Sequence, residues 1–177
     1  MRITGGRFRG RQLPRQRGAQ VRPTSDRVRE ALFSILGQDL DGCTVLDVYA
    51  GSGVLSLEAV SRGAVSACCY DRDARAVRQL RGLVQDFGVS EFFKVQKGIV
   101  PGCLPEEGSF DIVFLDPPYA DDASGILSRV AGLLSGVLVL EHSNEAPEVQ
   151  ELERVDQREY GGTKLSFYRG RGAVQLP

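Results

Sequence analysis

The chain has 177 residues, 42% hydrophobic and 25% charged, which fits one soluble globular domain with a substantial core. No stretch reaches the roughly 18–20 apolar residues of a membrane span, and the N-terminus lacks the apolar run of a secretory signal, so a cytoplasmic protein without a membrane partner is expected. The formal net charge of −1 averages two unlike parts: residues 1–29 hold nine arginines and one acid (+8), and the rest holds 13 basic and 22 acidic side chains (−9).

A basic segment on an acidic body points to a polyanion partner, and arginine suits bidentate phosphate contacts better than lysine does. After Arg22-Pro23-Thr24, the apolar residues Val28, Ala31, Leu32, Ile35 and Leu36 recur at helical spacing, with Ser25 or Asp26 as N-cap and Gly37 as the stop. Strands are then expected at 44–48, 65–70, 92–96, 110–115 and 137–141. Helices are expected at 54–62, 74–87 and 126–134, and a hairpin at 154–169 turning on Gly161-Gly162. Continuous apolar strands separated by helices imply a doubly wound, mostly parallel seven-stranded α/β sheet with an antiparallel C-terminal hairpin. Ligands of such sheets bind beyond the carboxyl ends of the strands.

On that rim the first turn reads Asp47-Val48-Tyr49-Ala50-Gly51-Ser52-Gly53. Position 56 is serine, so the three-glycine dinucleotide fingerprint is not met. An acid ahead of Ala-Gly-Ser-Gly suits a ligand with a cationic amino group, and Asp71, at the end of the second strand, suits ribose hydroxyls. Together they fit S-adenosylmethionine. The fourth strand runs into Asp116-Pro117-Pro118-Tyr119. There the Asp116 carboxylate and the Pro117 carbonyl can accept both hydrogens of an exocyclic amine, and Tyr119 offers a face for base stacking. Positioning and electrostatics then supply the catalysis, and the base must leave its stack to reach the pocket. Four cysteines without a C-x-x-C pair and one histidine predict no metal site.

These motifs resemble the class I, Rossmann-like amino methyltransferases. The chain as a whole resembles one branch of them, the bacterial 16S ribosomal RNA guanine-N2 methyltransferases of the RsmD family. Further shared features are Gly5 to Leu13, Arg22 to Thr24, Arg27 to Phe33, Asp71-Arg72-Asp73, Glu141-His142-Ser143 and Tyr160 to Thr163. The resemblance implies methyl transfer from S-adenosylmethionine to the N2 amine of one guanine in 16S rRNA, within the small ribosomal subunit or an assembly intermediate. It divides the chain into a basic RNA-binding extension, 1–24, and a methyltransferase domain, 25–177. Asp116, Pro117, Pro118 and Tyr119 form the expected catalytic set. Asp47, Ala50, Gly51, Ser52, Gly53, Asp71, Arg72, Gly98 and Ile99 are expected to bind the cofactor, and Arg7, Arg9, Arg11, Arg22, Arg27 and Arg29 the RNA.

Relatives usually carry an acid or asparagine after the third strand to hold the adenine amino group. This chain has Gln96-Lys97-Gly98-Ile99, leaving adenine to backbone groups and apolar packing. It also has Gly82 where an asparagine is common and Tyr49 where phenylalanine is. Other readings are amino-group methylation of DNA adenine or cytosine or of protein glutamine, and a non-catalytic RNA-binding assembly factor. His142 reads as a strand-end hydrogen-bonding residue rather than a catalyst. Arg75, Arg78 and Arg81 read as a solvated helix face rather than an extension of the RNA surface.

Overall fold

A computed structural model describes residues 1–14, 25–118 and 123–171. Its seven-stranded sheet has the order β3-β2-β1-β4-β5-β7-β6. The strands are β1 (Thr44–Asp47), β2 (Ser66–Asp71), β3 (Phe93–Lys97), β4 (Phe110–Leu115), β5 (Leu134–His142), β6 (Leu152–Tyr160) and β7 (Thr163–Gly170). The helices are α1 (Asp26–Leu36), α2 (Val54–Ser61), α3 (Ala74–Asp86) and α4 (Ala123–Ala131). β1 to β5 run parallel, and β7 and β6 close the other edge antiparallel. The chain doubles back between β1 and β4, which makes the ends of these two strands the switch point where such sheets bind ligands.

The expected elements are present with shifted ends. The helix expected at 126–134 lies at Ala123–Ala131, and β5 starts at Leu134 rather than 137 because Leu134 already pairs with Phe110; a register irregularity between Phe110 and Ile112 absorbs the offset. Gly136 permits this, since a Cβ there would lie 2.3 Å from the Asp111 carbonyl oxygen. Pleating sorts the side chains between two cores. Val45, Ile112, Phe114 and Val139 join the cluster built with α1, α2 and α3. Leu46, Val113, Leu115, Leu138 and Leu140 join the one built with α4.

Residues 1–14 correct the expectation of an extension separate from the domain. Ile3 and Leu13 are buried in the same core as α1 and α2. The segment folds back on itself, with Ile3 N–H donating to the Arg11 carbonyl (3.0 Å) and Leu13 N–H to that of Met1 (3.0 Å). Residues 15–24 lie outside the described residues. Glu58, the single charged residue of α2, anchors the segment. It is fully buried, accepts from Thr4 N–H (2.6 Å) and Gly5 N–H (3.3 Å), and pairs with Arg29 and Arg62 at 3.5 Å each. Ser61 adds a bond from its hydroxyl to the Gly5 carbonyl (2.6 Å), and Gly6 has φ 70° where a Cβ would lie 1.9 Å from the Ser61 backbone carbonyl oxygen. Buried charges are costly unless every partner is present. Glu58→Ala is therefore expected to destabilise the protein by about 3–5 kcal/mol in urea unfolding and to expose residues 1–14 to proteolysis.

Candidate functional site

The loop from β1 to α2 is shaped by its two glycines and by Asp71. Gly51 and Gly53 have φ of 52° and 69°, and a Cβ on Gly53 would lie 2.2 Å from Leu80 Cδ1. Ala50 N–H donates to the Tyr70 carbonyl (2.9 Å), which ties the loop to β2. Asp71 braces two loops: one carboxylate oxygen accepts from Gly51 N–H (2.8 Å), the other from Asp73 N–H (2.7 Å). Each oxygen keeps a second lone pair for a ligand hydroxyl. Ser52 is half-buried beside this brace, and Arg72 is exposed.

Asp47 sits behind the loop rather than in the opening. It is 4% exposed, and its Oδ2 accepts from the Ser56 hydroxyl at 2.6 Å. Burial, reinforced by the nearby Asp71 charge, raises it to about 6 despite the Ser56 bond. At the end of β3, Gly98 N–H donates to the Asp71 carbonyl (3.0 Å), and a Cβ on Gly98 would lie 2.2 Å from Cys103 Cβ. The Ile99–Leu104 turn thus occupies the space that an acid or asparagine side chain at 98 would need. Ile99 is 76% exposed, an apolar side chain standing open on the rim.

Asp116, Pro117 and Pro118 follow directly on β4. Asp116 is exposed and the two prolines are half-buried. The surrounding protein, with Glu141 and then Asp47 adding like charge, pushes Asp116 up to about 7. Asp47 is in register with Phe114, and Phe114 with Val139. Two residues on from Phe114 and Val139 come Asp116 and Glu141, so pleating points all three acids to the α1–α3 side. Three neighbouring strand ends therefore concentrate carboxylates that repel one another, an arrangement suited to a cationic ligand. Tyr119 lies outside the described residues.

Of the expected RNA contacts, Arg7, Arg9, Arg11 and Arg27 are exposed, and Arg22 lies outside the described residues. Arg29 is a correction: it is fully buried, donating to the Arg2 carbonyl (2.6 Å) and pairing with Asp26 (2.8 Å) and Glu58. Its guanidinium is an internal strut that no phosphate can reach. Arg7 stacks over Phe8 and Phe92, with its guanidinium carbon 4.8 and 5.1 Å from the ring centres. Arg11 lies 3.8 Å over Phe87 and donates to the Asp86 carbonyl. Phe87 ends α3, about 20 Å along the helix from the rim, so these arginines flank the lower edge of the sheet. His142 is held at a strand end, its Nδ1 at 2.9 Å from the Asn144 carbonyl and its Nε2 at 2.8 Å from the Ser166 hydroxyl.

Sequence reasoning assigned no role to Glu58 or Glu141. The single charge in α2 was the signal for the first. The second lies in the shared Glu141-His142-Ser143 stretch, and strand register sets it beside Asp116.

A family model described as Conserved hypothetical protein 95 matches residues 1–169. YlbH of Bacillus subtilis (strain 168), named as an rRNA methyltransferase, is 32% identical over 184 residues, covering 97% of this chain and 100% of that protein. Ribosomal RNA small subunit methyltransferase D of Escherichia coli (strain K12) is 36% identical over 134 residues, covering 76% of this chain and 66% of that protein. Among solved structures, yhhF of Escherichia coli, described as a methyltransferase, superposes with a TM-score of 0.85 at 30% identity, covering 96% of this chain and 97% of that chain.

Proposed function

The chain belongs to the RsmD family of ribosomal RNA methyltransferases, with their class I, Rossmann-like fold, and on that premise we propose that it methylates the N2 amine of a guanine in 16S rRNA with S-adenosylmethionine as donor. The observation that carries this reading is the convergence of Asp47, Asp116 and Glu141 at the switch point, with a braced glycine loop beside them. When bound, S-adenosylmethionine supplies an electrophilic methyl group on a positively charged sulfur. The residues present fit that molecule. Carboxylates that repel one another favour its cationic groups, the Gly51–Gly53 loop suits its amino-acid end, the spare lone pairs of Asp71 suit ribose hydroxyls, and exposed Ile99 suits the adenine face.

The chain's own part in the chemistry is to hold the guanine amine. The Asp116 carboxylate and the Pro117 carbonyl accept its two N–H bonds, which draws the nitrogen lone pair out of conjugation. Asp116, ionised once the cofactor's positive charge lies beside it, also takes the proton that the amine sheds. Tyr119 stacks on the base, and Arg27, in the first turn of α1, meets the RNA on the same side of the sheet. Arg7, Arg9 and Arg11 hold phosphates farther down, with Arg7 and Arg11 held in place by stacking on Phe8, Phe87 and Phe92.

Charge is distributed in keeping with this path. Arg75, Arg78, Lys94 and Lys97 are exposed and make α3 and the β3 edge basic, whereas the β6 edge mixes exposed Glu151, Glu153 and Glu159 with exposed Arg154 and Arg158. Arg81 is more than a solvated side chain, since its guanidinium donates to the Val95 carbonyl of β3 (2.7 Å).

Incubation with methyl-labelled S-adenosylmethionine and small subunits from cells lacking the modification is expected to yield N2-methylguanosine. Label in DNA or protein, with none in the subunits, contradicts the assignment. Asp116→Ala is expected to slow transfer about 100-fold or more while calorimetry finds cofactor affinity changed only a few-fold. Replacing Arg7, Arg9 and Arg11 with alanine is expected to raise KM for subunits and flatten its salt dependence. An unchanged salt slope removes these arginines from the RNA path.

A further inference from the structure

We infer that Glu141 reads the Watson–Crick edge of the target base, accepting its N1–H and so admitting guanine while rejecting adenine and cytosine. The inference rests on the guanine-N2 reading above and adds to it the residue that makes the choice.

Leu115 and Leu140 are register partners in the parallel pair β4–β5. One step beyond, Asp116 and Glu141 leave adjacent strand ends on the same face, with the strands about 4.8 Å apart. On its other side, Glu141 is in register with Leu165 of β7, which is 1% exposed. Glu141 itself is half-buried, between that apolar wall and Asp116. The repulsion it exerts on Asp116 is the larger of the two charge effects there, as this closeness requires.

Guanine presents N1–H beside its two N2 hydrogens, three donors in a row. Glu141, Asp116 and the Pro117 carbonyl supply three acceptors in a row. Adenine and cytosine also carry an exocyclic amine, but the ring nitrogen beside it is a bare acceptor. In the same pocket that lone pair would face the Glu141 carboxylate, a repulsion that no water can relieve once the base is seated. Asp-Pro-Pro-Tyr alone accepts an amine of any of these bases, so selection falls to the neighbouring strand. A carboxylate serves better than an amide because a charge-assisted bond to N1–H is stronger.

The test replaces the target guanine in reconstituted small subunits with 2-aminopurine, which keeps the N2 amine but carries no N1 hydrogen. kcat/KM is measured on both bases with the wild-type protein, Glu141→Gln and Glu141→Ala, and circular dichroism with thermal unfolding checks each variant's fold. The wild-type protein is expected to prefer guanine by about tenfold or more. In Glu141→Ala that preference should shrink to about twofold or less. It should also narrow in the isosteric Glu141→Gln, whose amide can donate to the bare N1. Slower transfer to both bases with the preference unchanged marks Glu141 as structural and overturns the inference. Failure of the wild-type protein to form N2-methylguanosine instead overturns the reading of the target atom, and the inference falls with it.

Discussion

Carboxylates crowd the carboxyl ends of β1, β4 and β5, and most of what surrounds them exists to tolerate or use that charge. Asp47 is buried and raised to about 6, and Asp116 is raised to about 7. Such groups cost the folded state. Asp47 ionises near 3.8 when unprotected but keeps its proton to about 6 in the folded chain. Its effect on stability is therefore favourable at low pH and lost as pH rises from about 4 through about 6. A fold that only had to be stable would place apolar residues here. The acids are offset locally by the Ser56 hydroxyl on Asp47 and the backbone amides on Asp71. On the function proposed above, the rest of the compensation falls to a cationic ligand.

A second charged cluster has the opposite logic. Glu58, Arg29, Arg62 and Asp26 pair with one another within the protein, and they join α1, α2 and residues 1–14 into one body. Because the first 14 residues are anchored, Arg7, Arg9 and Arg11 project from a fixed surface instead of a tether, so less side-chain and backbone freedom is lost when a phosphate is held. The acids on the rim suit a cationic ligand, whereas the acid in α2 fixes the surface on which we propose that the RNA is held. Both sets lie on the α1–α3 side of the sheet.

Much of this was legible in the sequence, for definite physical reasons. Apolar runs bounded by Gly37, Gly63 and Pro117 set the strands and helices, and Asp47 to Gly53 and Asp116 to Pro118 marked the rim because their composition suits little else. What escaped depended on contacts between distant segments. Arg29 looked like one more cation of a basic stretch until Glu58 buried it. Gly98 looked like a lost ligand, but the turn carrying Cys103 fills the space a side chain would need. Asp47 was recognised as an acid of the site, yet its position behind the loop follows from the Ser56 bond nine residues on. The pairing of Asp116 with Glu141 across 25 positions exists only in the β4–β5 register.

The direct test of the central claim is calorimetric titration of S-adenosylmethionine between about pH 5.5 and 8, in two buffers of different ionisation enthalpy to count protons. If the crowded carboxylates are relieved by the ligand's positive charge, binding pulls protons from Asp47 and Asp116. Affinity then rises with pH through the window from about 6 to about 7 and levels off above it, with protons released within the window. An affinity flat across that window, with no proton release, would contradict the account and leave these acids without the role assigned to them.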